Sequence, residues 1–481
     1  MKPVVVFIFL MLQVGAFGQS VGFSLPEKIS LAVNDIEIIG QNEEGLLVSE
    51  QSSHQCELQT FNQAMEPIAK RNLILPDKNS TVEKILLQND SLLVFYSLPD
   101  HGLILLKSAC FNTHLDGASR VELLDTLTPT SLSPKPELHF VNSALSPEVF
   151  VWYQGWGDKK NFRYLFYNAF QRFYRKGSLA LTMLSEPVIS DAVLSSTGHA
   201  YLAVGENTAR NTNNDFPLEK LLLLRVEPDG ALQQHLIIRP ESLLGYPGIH
   251  MDEVNHRLLL GGLWSINPGN ESQGMYFGSY ADQGDSIFAE KFIPWPQNFL
   301  IQLSGDNPPR KSDGFFNFDL KNIIVRHDGG IILLAESVSV STESFNNPGY
   351  GTVGVTSSLT VNYYHFDEIL VVSLSDTGGV EWNSVLRKRQ QTEGDGGYYS
   401  SFATLIGGGQ LHFIYNDIVN GQTNVSEYAV SPDGSQHRED LFNADHKGVM
   451  LIPNEARQVS GNDLIIPSIK RSYFQLIRIS Y

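Results

Sequence analysis

The sequence predicts an all-β fold built from eight similar units of four antiparallel strands, on three observations. Strand–turn–strand segments with an Asp-Gly turn recur: LLLLRVEPDGALQQHLI (221–237), MYFGSYADQGDSIFAEKF (275–292), ILVVSLSDTGGVEWNSVL (369–386) and VSEYAVSPDGSQHREDL (425–441). A short apolar strand precedes each of them, in AYLAVGEN (200–207), RLLLGGLWS (257–265), IILLAES (331–337) and QLHFIYND (410–417). Helical periodicity is almost absent, while short strands bounded by turn residues run the length of the chain.

The Asp-Gly pairs have a physical reason to sit in hairpins. Glycine takes positive φ without a Cβ clash, and aspartate hydrogen-bonds nearby backbone. Weaker copies of the preceding strand are LLVSEQ (46–51), LLVFYSL (92–98), VFVWYQGW (149–156) and DLIIPSI (463–469). These strands begin near 46, 92, 149, 200, 257, 331, 410 and 463, so the spacing is about 46 to 79 residues. A further strand ahead of each, such as LKNIIVRHDGG (320–330), completes a four-stranded unit. Four-stranded units at this period match the blades of a β-propeller better than a sandwich.

The last unit, RQVSGND through YFQLIRIS, ends one strand short at Tyr481. The segment GFSLPEKISL (22–31) is a strand with no unit of its own, and pairing it with the last unit would remove an open sheet edge. The prediction is therefore a single eight-bladed propeller spanning 19–481, closed by the N-terminal strand. Seven blades and a stray hairpin are the alternative.

VVSLSDTGGVEW resembles the blade repeat of quinoprotein-type propellers, in which a strand, an Asp-x-x-Gly turn and a Trp recur. The full pattern occurs here once, at Asp376, Gly379 and Trp382, and the adjacent cysteine pair of quinone-binding members is missing. The resemblance, which also extends to secreted bacterial propellers in general, implies the fold. It carries over no cofactor and no girdle of docking tryptophans.

The first 18 residues, MKPVVVFIFLMLQVGAFG, join one Lys to an apolar run and then small residues. This pattern reads as a secretory signal cleaved after Gly18, leaving a 463-residue mature chain in a secreted or periplasmic setting. The run is short for a bilayer span, and no membrane insertion is expected after its removal. The formal charge of −18 becomes −19 once Lys2 is lost, which argues against nucleic acid as a partner. Hydrophobic residues make up 42% of the chain, enough for a packed core. Cys56 and Cys110 fall on third strands of different units and are expected not to pair.

In a four-stranded meander the 1–2 and 3–4 turns lie at one end. The 2–3 turns and the unit-to-unit connections lie at the other. The Asp-Gly turns and the short SSTGH (195–199) and HDGG (327–330) belong to the first, turn end, which should leave little room for a ligand. The long insertions all fall at the connection end: 208–217, 294–316, 338–366 and 387–401. Long irregular segments in a compact domain are usually functional or disordered, and the aromatic content of these argues against disorder. The binding residues expected from them are Trp295, Tyr350, Tyr363, Tyr364, Arg387, Arg389, Tyr398 and Tyr399, with Phe299 and Lys388 beside them. Aromatic rings stack on apolar ligand faces, and guanidinium and phenol groups read polar ones.

Zinc and calcium patterns, a G-x-S-x-G elbow and a phosphate loop followed by a helix are all missing from the sequence. No catalytic residue, metal or cofactor is assigned. The expected activity is binding of a glycan or protein partner by a monomer, through the aromatic segments of units five to seven. An enzyme acting on polysaccharide would draw first on Glu393, Asp395, Asp313 or Asp367. A scaffold of an envelope assembly is the third reading.

Overall fold

The computed structural model describes residues 19–29, 33–52, 55–88, 90–129, 135–143, 145–155, 158–171, 173–181, 187–207, 218–230, 232–237, 242–266, 271–282, 286–304, 315–316, 318–347, 357–419 and 421–481. The proposed leader 1–18, the insertion 208–217, Asp313 and Tyr350 lie outside them. Helix among the described residues is confined to Gln297–Ser304, Ala444–Lys447 and a single turn at Pro453–Glu455.

The chain is all-β and built from repeated antiparallel sheets. The recurrent apolar segments form the strands Leu46–Ser52, Ser91–Asp100, Glu148–Gly155, Ala200–Asn207, Arg257–Ser265, Ile331–Asn347, Gln410–Val419 and Asp463–Lys470. Each begins at the position read from the sequence or one residue before it. They are apolar on both faces because both faces are covered, as in Arg257–Ser265, where every residue after Arg257 is buried. The fourth strand of a sheet is the outer one. In Gln436–Asn443 the first five residues, QHRED, are exposed.

Four-stranded sheets occupy 33–72, 81–127, 139–180 and 403–443. Residues 187–294 form one nine-stranded sheet in which two four-stranded groups are bridged by Leu243–Leu244, paired with Leu218 on one side and Trp264 on the other. Residues 318–386 form four strands joined by a fifth short one, Gln390–Glu393. The N-terminal strand Ser20–Phe23 pairs antiparallel with the C-terminal strand Tyr473–Ser480, with Ser20 opposite Ser480 and Phe23 opposite Ile477.

Consecutive sheets pack face to face. Ile39 and Leu47 share a buried cluster with Leu92 and Val94, and Phe95 of that second sheet shares another with Val149 and Tyr167. The same relation continues to the C-terminal sheet, which packs back on the first through Ile465, Phe474 and Leu476 against Ile36, Ile38 and Val48. Cys56 and Cys110 sit on the third strands of the first and second sheets.

The Asp-Gly turns are contact points between sheets. Gly434 has φ 83°, and a Cβ there would come within 2.8 Å of the Trp382 ring of the preceding sheet. Gly378 likewise abuts Phe277. Trp382 thus docks one sheet on the next at a single place, although the sequence offers no repeated tryptophan to do so elsewhere.

Candidate functional site

Of the segment 338–366, the described residues 338–347 and 357–366 are not the irregular insertion the sequence led us to expect. Strands Ile331–Asn347 and Ser357–Leu374 continue their pairing far beyond the sheet, out to Asn347 opposite Ser357. The alternation Val338-Ser-Val340 and Val361-Asn-Tyr363 supplies the β-propensity, and a register shift between Glu336 and Val338 marks where sheet becomes ribbon. Gln390–Glu393 adds a third strand, placing Tyr363 opposite Glu393 and Tyr364 opposite Thr392. The ribbon and the segment 387–401, separate in sequence, are therefore one structural element.

Within it the expected binding residues separate by burial. Trp295 is 7% exposed, stacks on Phe299 at 5.0 Å and donates its indole N–H to Ser272 at 3.0 Å. Trp295 and Phe299 are therefore core residues, a correction to their expected exposure. Tyr363 and Tyr364 are half-buried and, being adjacent on a strand, face opposite sides. Burial, with Glu393 and Glu343 nearby, holds the Tyr363 hydroxyl above the usual phenol range. Tyr398 is 41% exposed and meets Tyr399 edge-to-face at 5.1 Å. Burial and the neighbouring Asp395 push the Tyr399 hydroxyl up as well.

The basic run Arg387-Lys388-Arg389 does not present three cations. Lys388 is buried and ion-paired to buried Glu336 at 2.6 Å, and also donates to Phe366 O at 2.9 Å and Gln390 Oε1 at 2.7 Å. Its two neighbours point outward, Arg387 donating to the carbonyl of Gln302 at the foot of the short helix. Glu336 also accepts from Ser401 Oγ at 2.6 Å and pairs with Lys321 at 3.3 Å. Both ends of the 387–401 segment are thus pinned to one buried carboxylate.

The loop tip is shaped by Asp395, which accepts from Gly397 N at 2.9 Å. Asn416 ties the loop to the following sheet, donating to Tyr399 O at 2.8 Å and Leu451 O at 2.9 Å. Between loop and sheet lies a concavity of about 110 Å³ lined by Arg389, Thr392, Tyr399, Asp417, Ile418 and Met450, among others. Asp417 is ion-paired to Arg438 at 2.6 Å. Donor, acceptor and apolar groups thus border one hollow, with the exposed Tyr398 in the same loop. The structure brings Arg389 and Tyr399 together around it, while Tyr398 lies next to Tyr399 outside the lining and Tyr363 and Tyr364 are on the adjoining ribbon.

Sequence reasoning missed three features. A cavity of about 370 Å³ lies at the junction of the first two sheets, bordered by Gln51, Gln55, Asn72, Ile74 and Asp77. His412 faces away from Asp417 but is hydrogen-bonded to Glu427, which also accepts from Tyr481 and from Gln19 at 2.7 Å. The turn end, expected to leave little room, holds a hollow of about 130 Å³ between Tyr201, Arg225, His235 and Tyr280. Each feature joins separate strands or sheets, so no local motif announces it.

Asp319, Glu336 and Asp367 converge near Lys321 and Lys388 at the connection end of the sheet 318–386. Burial raises the Asp319 carboxyl above its usual range, against the pull of Lys321. None of the three hollows is lined by these acids. Only Glu336 and Lys388 are fully buried in this cluster, and Asp319 is exposed.

No family model matches the chain, and none of the curated proteins matches it. Solved structures align over most of its length at low similarity. The polysaccharide lyase Uly1 aligns with a TM-score of 0.40 at 10% identity, covering 95% of this chain and 99% of that one. Sqt1 of Chaetomium thermophilum, bound to the N-terminus of ribosomal protein L10, gives 0.43 at 9%, covering 94% and 99%. An oligogalacturonate lyase in complex with manganese gives 0.37 at 9%, covering 96% and 97%. With TM-scores below 0.5, these likenesses carry neither ligand nor activity to this chain.

Proposed function

We propose that this chain is an exported eight-bladed β-propeller, closed by its N-terminal strand, that binds a carbohydrate at its connection end. Pairing of Ser20–Phe23 with Tyr473–Ser480, and the shared core of the last and first sheets, support the closed ring. The observation that carries the binding assignment is the convergence of Arg389, Thr392, Tyr399 and Asp417 on one hollow beside Tyr398. Sugars present hydroxyls to such donors and acceptors and apolar ring faces to such aromatic and aliphatic groups.

The test is array binding of residues 19–481 against glycans and peptides, with Arg389→Ala/Tyr399→Ala and Tyr363→Ala/Tyr364→Ala alongside. Glycan binding that the first pair abolishes supports the assignment. Binding confined to peptides makes the partner a protein, and no binding to either sinks the reading.

A further inference from the structure

The hollow at the turn end has a chemistry of its own. It lies between the groups 187–237 and 248–294, walled by Tyr201, Arg225, His235 and Tyr280 with Leu223 and Leu258 as apolar floor. Its volume, about 130 Å³, is the space of about four waters at ~30 Å³ each. That accommodates the end of one side chain.

The polar wall is backed by acids. Glu290 accepts from Tyr280 OH at 3.1 Å and contacts His235 Nε2 at 3.0 Å. Tyr201 OH donates to Asp282, which is 2% exposed and whose Oδ2 is buried with no hydrogen-bond partner. Arg225 is neutralised by Glu227 at 2.7 Å. Three carboxylates thus stand against one guanidinium, leaving two negative charges in excess with the histidines counted as neutral. These carboxylates stand behind the lining of the hollow, and their excess negative charge favours a cation within it.

We propose that this hollow takes an alkylammonium group, either a free amine or a lysine side chain of a protein partner. The methylene stem packs on Leu223 and Leu258. The ammonium sits in the field of the carboxylates behind the lining, with the Tyr201 and Tyr280 rings adding cation–π attraction. The formal charge of −18 favours encounter with basic partners. This site is independent of the carbohydrate assignment, because it lies at the opposite end of the strands.

The test is calorimetric titration of residues 19–481 with n-butylammonium and with n-butanol, repeated on Glu290→Gln and Tyr280→Phe. Glu290 is on an outer strand and its side chain is 29% exposed, so the substitution should leave the fold intact. Saturable binding of butylammonium but not butanol, weakened about tenfold by Glu290→Gln, supports the site; tenfold is ~1.4 kcal/mol. Tyr280→Phe retains the ring and should give a smaller loss. A lysine peptide that binds more tightly than butylammonium, and loses that advantage on Nε-acetylation, assigns the amine to a protein. Equal affinity assigns it to a free amine. Equal binding of butanol, no saturable binding of butylammonium, or an unchanged affinity in Glu290→Gln overturns the proposal.

Discussion

Glu336 and Lys388 form an ion pair 2.6 Å apart in which neither side chain is exposed to solvent. Burial lowers the Lys388 ammonium pKa and Glu336 opposes that shift. Removing Lys388 leaves buried Glu336 with Lys321 at 3.3 Å as its remaining cation, so Lys388→Ala should cost about 3 kcal/mol in urea unfolding, the low end for a broken buried pair. Glu336→Leu/Lys388→Met, which removes both charges, should lose much less. A single-variant cost below ~1 kcal/mol would show that the pair is not closed to water.

Trp295 and Tyr398, similar in the sequence, should behave oppositely. Trp295→Ala removes a buried ring and its Ser272 hydrogen bonds, so a loss of about 3–5 kcal/mol is expected. Tyr398→Ala should change stability by less than ~0.5 kcal/mol but weaken ligand binding. Thermal unfolding and binding measured on both variants separate the two roles.

Asp77 borders the large hollow between the first two sheets and accepts from Lys107 at 2.9 Å and Tyr96 at 2.8 Å. These bonds hold its carboxyl below the usual aspartate range. A depressed folded-state pKa contributes stability above the unfolded value, near pH 3.9, that is lost as pH falls through the folded one. Asp77→Asn should therefore be less stable at pH 7 by about 0.5–1 kcal/mol and lose less on acidification to pH 3. Unfolding midpoints at the two pH values check both statements.

The strand Ser20–Phe23 covers the edge of Tyr473–Ser480. Deleting residues 19–23 should lower the melting temperature and promote concentration-dependent aggregation, because the freed edge is a template for pairing. Light scattering during thermal unfolding reports both effects. An unchanged midpoint would show that the N-terminal strand contributes little.

The strands were legible because their signal is local. The start of Leu46–Ser52 or Arg257–Ser265 can be read from a few apolar residues and a turn. The ribbon was misread because Ser, Asn and Thr in 342–347 and 357–362 suggest a loop, while these residues pair with each other across two strands. The Glu336–Lys388 pair spans two strands and a connection, so Lys388 looked like a surface cation between two arginines. Arg389 and Tyr399 were legible as types, and the hollow joining them depends on Asn416 and Asp417 of the next sheet.

The central claim is that ligand binds at the Arg389–Tyr399 hollow, and the dissociation constant of a bound glycan tests it most directly. It should be measured by calorimetry on wild type, Arg389→Ala, Tyr399→Ala and the control Tyr174→Ala, an exposed tyrosine of the sheet 139–180. The account predicts at least tenfold weaker binding, ~1.4 kcal/mol, for each of the two site variants, with the control unchanged. Wild-type affinity in both site variants would contradict it.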